Sequence, residues 1–137
     1  MARKMSYSGK YKLSRSEFNA AKWHALRFNE WVAEYNSLSD SVKAITYDDA
    51  DMPHAINKTG DPTEILAERR AELRDKMDVV IQCAREAGGD LQEYILKAVT
   101  NEDVTYQVLR TFMDIPCSAN TFYDRRRKFY YLLAKRL

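Results

Sequence analysis

The chain has 137 residues, 45% of them hydrophobic and 31% charged, which suits one hydrophobic core and hardly a two-domain catalytic cleft. Four glycines and three prolines are too few turn-formers for a many-stranded sandwich or a Gly-rich nucleotide loop, so helices are expected. The net charge of +2 hides an uneven layout: 8 basic and 4 acidic side chains in residues 1–46, 7 and 14 in 47–104, and 7 and 2 in 105–137.

Residues 1–13 show no periodicity and read as a basic arm. At Ser14-Arg15-Ser16-Glu17 the spacing lets a serine hydroxyl and a glutamate each satisfy the other's free backbone N–H, which marks a helix start. Phe18, Ala21, Ala25, Phe28, Val32 and Tyr35 follow at three- and four-residue steps, widened by Trp23, Leu26, Trp31 and Leu38, so this first helix needs partners on two sides. The pattern lapses from Thr46 to Gly60, an acidic loop. Asp61-Pro62-Thr63-Glu64 then predicts a second helix, running to Gly88-Gly89 with Leu66, Leu73, Met77, Val80, Ala84 and Ala87 on one stripe. The two helices are expected to pair as a long antiparallel hairpin over 14–88.

After the glycines, Asp90-Leu91-Gln92-Glu93 caps a predicted short third helix carrying Leu91, Tyr94, Ile95 and Ala98. Thr105 caps a fourth with Tyr106, Val108, Leu109, Phe112 and Met113, which stops at Asp114-Ile115-Pro116-Cys117 because proline lacks the next donor. Ser118 caps a fifth that runs to Leu137. The expected fold is all-α and a single domain, a long N-terminal helical hairpin followed by a C-terminal helix-turn-helix unit over 90–137.

The fifth helix divides by face. With Phe122 at zero and about 100° per residue, Phe129, Leu132, Leu133 and Leu137 lie within about 80°, with Ser118 at the helix start. The opposite side holds Asn120, Thr121, Asp124, Arg127, Lys128, Tyr131 and Lys135; Arg125 and Arg126 sit nearer the buried margin. In a major groove Arg grips guanine, Asn pairs with adenine and Asp accepts from cytosine. Asn120, Thr121, Asp124 and Arg127 are therefore expected to face bases. Arg125, Arg126, Lys128, Lys135 and Arg136 are expected to meet phosphates, and Ser118 offers helix-terminal N–H groups to a phosphate. The competing reading of Arg125-Arg126-Arg127-Lys128 is a solvated face on a core helix.

From Thr105 to Leu137 the sequence resembles the C-terminal helix-turn-helix of the phage late-gene transcriptional regulators of the RinA and ArpU type, themselves similar to the promoter-binding region four of sigma factors. The resemblance rests on Thr105-Tyr106 and Leu109, the turn Ile115-Pro116-Cys117-Ser118, the run Thr121-Phe122-Tyr123-Asp124-Arg125-Arg126-Arg127-Lys128-Phe129, and the earlier Asp61-Pro62-Thr63. It implies a phage or prophage activator that binds double-stranded DNA near a late promoter and assists host RNA polymerase. A homodimer or a DNA-driven dimer is expected, since one such unit seldom buries enough surface for tight, specific binding.

Other chemistries find no support in the residues. His24 and His54 have no second ligand at metal spacing and no nucleophile motif. Asp48, Asp49 and Asp51 lack the glycine and terminal glutamate of a calcium loop. The expectations are no catalytic residue, no metal and no cofactor. Cys83 and Cys117 stand in unrelated contexts and read as reduced thiols. No apolar run reaches the roughly 18 residues of a membrane span, and the basic N-terminus precedes no apolar stretch, so a cytoplasmic location in a bacterial host and no membrane contact are expected. The alternatives are a helical protein-binding module that inhibits a host factor, and a DNA-packaging adaptor.

Overall fold

The computed structural model describes residues 11–38 and 62–137, and every regular element among them is helical. The fold is all-α, as the composition predicts. In chain order the helices are α1 (Arg15–Leu26), α2 (helical residues 28–38), α3 (Pro62–Gly88), α4 (Gln92–Thr100), α5 (Tyr106–Met113) and α6 (Ala119–Ala134), with one 3₁₀ turn at Gly89–Leu91. The acidic loop over 46–60, the capping Asp61 and residues 1–10 of the basic arm lie outside the described residues. The chain clusters into two compact units, one of described residues up to Phe28 with Val79–Leu137, the other of those within Asn29–Asp78.

In the first unit, α1 starts where the capping box predicts. The Ser14 hydroxyl accepts the Glu17 N–H at 3.1 Å, and the Glu17 carboxylate accepts the Ser14 N–H at 3.0 Å. The first predicted helix is not continuous: at Arg27 the backbone N–H turns to the His24 carbonyl, three residues back, and α1 closes there. Ala21 and Ala25 are fully buried. Such small side chains let α1 approach α4 and α6, with which it packs. Phe18 completes this contact edge-on to Tyr130, ring centroids 5.1 Å apart.

The end of α3 supplies Val80, Cys83, Ala84 and Ala87 to the same core, three of them on the predicted stripe. Cys83 adds to that stripe, and burial pushes its thiol pKa up. Both cysteines are free. The start of α4 differs from expectation: Asp90 does not cap it. Gly89 takes φ 56°, a left-handed conformation that costs glycine little, and the 3₁₀ turn carries the chain directly into α4 with no side-chain cap. Leu91, Ile95, Ala98 and Val99 are buried beneath it.

On α6, Phe122, Phe129 and Leu133 are fully buried, as the helical wheel predicts. Tyr130 joins them, whereas Leu137 is 56% exposed and Leu132 only half-buried. A wheel places residues by angle alone, and α6 ends at Ala134, before Leu137 can turn inward. Phe112 of α5 is 80% exposed.

In the second unit, Trp31 of α2 and Leu73 of α3 are buried. The Arg69 guanidinium makes a two-pronged contact with Glu34, 2.7 and 3.0 Å, and also reaches Glu72 at 3.1 Å. Arg70 stacks on the Tyr35 ring and donates to a Tyr35 hydroxyl at 3.1 Å, while Lys76 lies over Trp31. As α2 is followed forward from Trp31 to Tyr35, its partners run backward from Lys76 to Arg70, the antiparallel sense. Arg69 holds the Glu34 carboxyl below its ordinary pKa.

Two outcomes test this packing. Phe122→Ala and Phe129→Ala each remove a fully buried ring and are expected to cost about 3–5 kcal/mol in a denaturant melt. Backbone and side-chain hydrogen bonds from Ser14 hold Glu17 below its ordinary 4.5. Its contribution to stability is therefore present above that value and is lost as pH falls through the depressed one. The difference in melting temperature between the parent and Glu17→Ala is expected to shrink on acidification below about pH 4, and a constant gap would mean the carboxylate is not engaged.

Candidate nucleic-acid interface

The connection between α5 and α6 is short and pinned at several points. Asp114 ends α5 by turning left-handed, φ 51° and ψ 50°, and its N–H donates to the Leu109 carbonyl. Aspartate tolerates that region better than most residues with a side chain. Ile115 follows into the core at 4% exposure, its N–H also directed to the Leu109 carbonyl at 3.3 Å. Thr105, which caps α5 by accepting the Val108 N–H, places Tyr106 at the first helical position. From there the Tyr106 hydroxyl donates to the Cys117 carbonyl at 2.6 Å, and its ring lies 5.5 Å from Phe122 and 6.3 Å from Tyr123. One side chain thus ties the start of α5 to the start of α6.

Ser118 is the predicted cap of α6. Its hydroxyl accepts the Thr121 N–H at 3.2 Å and lies 3.1 Å from the Thr121 hydroxyl. Asn120 and Asp124 are exposed, one turn apart, and Thr121 is half-buried. Arg127 sits beside them, 3.7 Å from the Asp124 carboxylate. Exposed pairs of this kind contribute little stability and separate readily.

The basic run, uniform in sequence, is divided in the fold. Arg125 donates from Nη1 to the Gly88 carbonyl at 2.7 Å, at the end of α3. Arg126 lies against rings, its guanidinium carbon 5.0 Å from the Tyr123 centroid and 5.9 Å from that of Phe122, with Nε enclosed and without a hydrogen-bond partner among the described residues. Burial raises the neighbouring Tyr130 hydroxyl pKa, and Arg126 partly offsets that rise. Lys128 makes no ion pair among the described residues. Farther along, the Lys135 ammonium lies 5.1 Å from the Tyr131 ring centroid and Arg136 reaches Glu86 of α3 at 3.5 Å.

The polar side of α6 therefore gathers Asn120, Asp124, Arg127, Lys128 and Lys135. Arg125, Arg126 and Arg136 are engaged with the body of the first unit. Such a surface can donate and accept hydrogen bonds at base edges near its start and offer cations farther on. Burial raises the Cys117 thiol in the connection above its ordinary value, opposed by Arg125. Among the described residues no group of three or more His, Cys, Asp and Glu side chains is placed to hold a metal ion, and no helix is long and apolar enough to cross a membrane.

No protein family, curated protein or solved structure matches this chain. The contacts of Tyr106 and Arg125 escape the sequence reading. A tyrosine one residue after a cap gives a hint of the first, whereas nothing in the run Arg125-Arg126-Arg127 distinguishes its first member.

Arg125→Ala is expected to lower the melting temperature of the protein in the absence of DNA. A charge-assisted bond to a backbone carbonyl contributes about 1.5–3 kcal/mol. An unchanged melt would show that Arg125 is a solvent-facing cation like Lys128.

Proposed function

We propose that this is a sequence-specific double-stranded DNA-binding protein in which α5, the pinned connection and α6 act as a helix-turn-helix, with α6 in the major groove. The observation that carries the reading is the polar side of α6. Asn120 and Asp124 stand exposed in its first two turns, and among the described residues Arg127 is held only by a loose pair and Lys128 makes no ion pair. Asn120, Thr121, Asp124 and Arg127 take the base-facing roles, with Arg127 suited to guanine and Asp124 to the cytosine amino group. Lys128 and Lys135 supply phosphate contacts. Arg125, Arg126 and Arg136, already engaged, reinforce the positive potential at the margins, and the capped start of α6 at Ser118 offers N–H groups to a phosphate.

Within this reading the protein is a phage or prophage late-gene activator of the RinA and ArpU type, acting near a promoter and assisting host RNA polymerase in the bacterial cytoplasm. The support is the resemblance of Thr105 to Leu137 to that family's C-terminal unit. A homodimer on half-sites about 34 Å apart would supply the surface that one helix-turn-helix lacks. The second reading is a protein-binding module, favoured by the exposure of Phe112 and Trp23, 80% and 56%. Apolar side chains so exposed suit a protein surface.

Selection from a random duplex pool, followed by binding to the selected site, separates the roles. Asn120→Ala and Arg127→Ala are each expected to cost roughly 1–3 kcal/mol at one base position and to leave binding to random duplex near the parent's. Lys128→Ala is expected to weaken binding to all sequences alike, with the salt slope reduced by about one. Failure of the folded parent to bind any duplex at low salt would overturn DNA binding and leave the protein-binding module.

A further inference from the structure

The far end of α6 carries a contact that the base-facing roles do not use. Eleven residues separate Asn120 from Tyr131 and Asp124 from Lys135, which on an α-helix is about 20° of rotation and about 16 Å of rise. Tyr131 and Lys135 therefore continue the stripe that begins with Asn120 and Asp124. Tyr131 is not left open there. The Tyr11 ring packs on it with centroids 5.6 Å apart and planes tilted by 57°, and the Lys135 ammonium lies 5.1 Å from the Tyr131 centroid. Two residues after Tyr11, Leu13 is buried at 5% exposure. The chain leading into α1 is thus fixed on either side of Lys12, which is exposed, as is Lys135.

Groove dimensions give this cluster a use. The major groove is about 12 Å wide. A helix with its first turns on base edges has its other end, about 16 Å farther on, at the sugar-phosphate backbone that bounds the groove. Cations recognise that backbone whatever the sequence. A tyrosine pair is well suited to hold them there, because a tilted ring contact fixes the chain without neutralising any charge.

We infer that Tyr11 and Tyr131 form a clasp that holds Lys12 at the same end of α6 as Lys135, giving the protein a second phosphate-binding point on the strand flanking its base-facing turns. This rests on the DNA-binding reading of α6. It assigns Lys12 a ligand, and it makes Tyr11 and Tyr131 positioning residues that touch no base.

The test measures binding to a labelled random-sequence duplex across a range of salt, with thermal melts of each variant alongside. Lys12→Ala combined with Lys135→Ala is expected to keep the parent's melting temperature, weaken binding, and reduce the slope of log affinity against log salt by about two. Preference for a selected site over random duplex is expected to survive. Tyr131→Phe keeps the ring and is expected to behave as the parent. In a Tyr131→Ala background Lys12→Ala is expected to have little further effect, a non-additivity that a merely structural tyrosine would not produce. Should Tyr131→Ala unfold, Tyr11→Ala serves the same cycle. The inference is overturned if the double lysine variant retains the parent's slope while Lys128→Ala reduces it, a result that leaves DNA binding by α6 standing. Absence of salt-dependent duplex binding by the folded parent overturns both.

Discussion

The burial of Phe122 is the constraint on which the first unit depends. Its ring is fully enclosed, flanked by Tyr106 at 5.5 Å and Tyr123 at 5.2 Å, with the Arg126 guanidinium beyond. Because Phe122 lies in the first turn of α6, fixing it fixes the rotation of the helix about its own axis. That rotation turns Asn120 and Asp124 outward, since both lie more than 150° from Phe122 on the wheel of about 100° per residue. Tyr106 adds a second restraint, reaching across the connection to the Cys117 carbonyl. A ring pair alone would allow sliding, whereas a directional hydrogen bond sets distance and angle together. The capped start of α6 is in this way positioned by α5 before any ligand is present.

Electrostatics inside α6 follow from the same rotation. Arg126 lies 40° from Phe122 on that wheel, close enough to the core for its guanidinium to rest on aromatic faces, a position that suits a planar, weakly hydrated cation. Arg125 lies on the other margin and meets the carbonyl of Gly88, one of the acceptors that the end of a 27-residue helix leaves without an intrahelical donor. Arg127 and Lys128 fall farther round and retain their charge for solvent or a ligand. Four adjacent cations thus perform at least three tasks, decided by angle and by what happens to pack at each margin. The second unit uses charge differently: Arg69 bridges Glu34 and Glu72, and Arg70 and Lys76 cover Tyr35 and Trp31. Cations there hold two helices together in the antiparallel sense.

The sequence by itself determined the elements that local chemistry dictates. Ser14, Thr105 and Ser118 cap where their hydroxyls have a free N–H within reach, a relation confined to three residues. Pro62 opens α3 and Gly89, just past its last residue, closes it, because the missing donor of the one and the missing Cβ of the other act on the immediate backbone. Periodicity likewise exposes the buried side of α6 through Phe122, Phe129 and Leu133. Tertiary structure alone decided the rest. The break at Arg27 has no glycine or proline to announce it, and Asp90 loses its expected cap because Gly89 takes a left-handed turn and a 3₁₀ turn leads straight into α4. Phe112 and Leu137 are apolar in sequence and exposed in the fold, since a residue's burial depends on whether another element reaches it. For the same reason the assignment of Arg125 to Gly88 and of Tyr11 to Tyr131 is invisible along the chain. Pairs separated by up to 120 residues leave no periodic or local mark, and only the packing of α6 against the end of α3 and the segment before α1 brings them within contact distance.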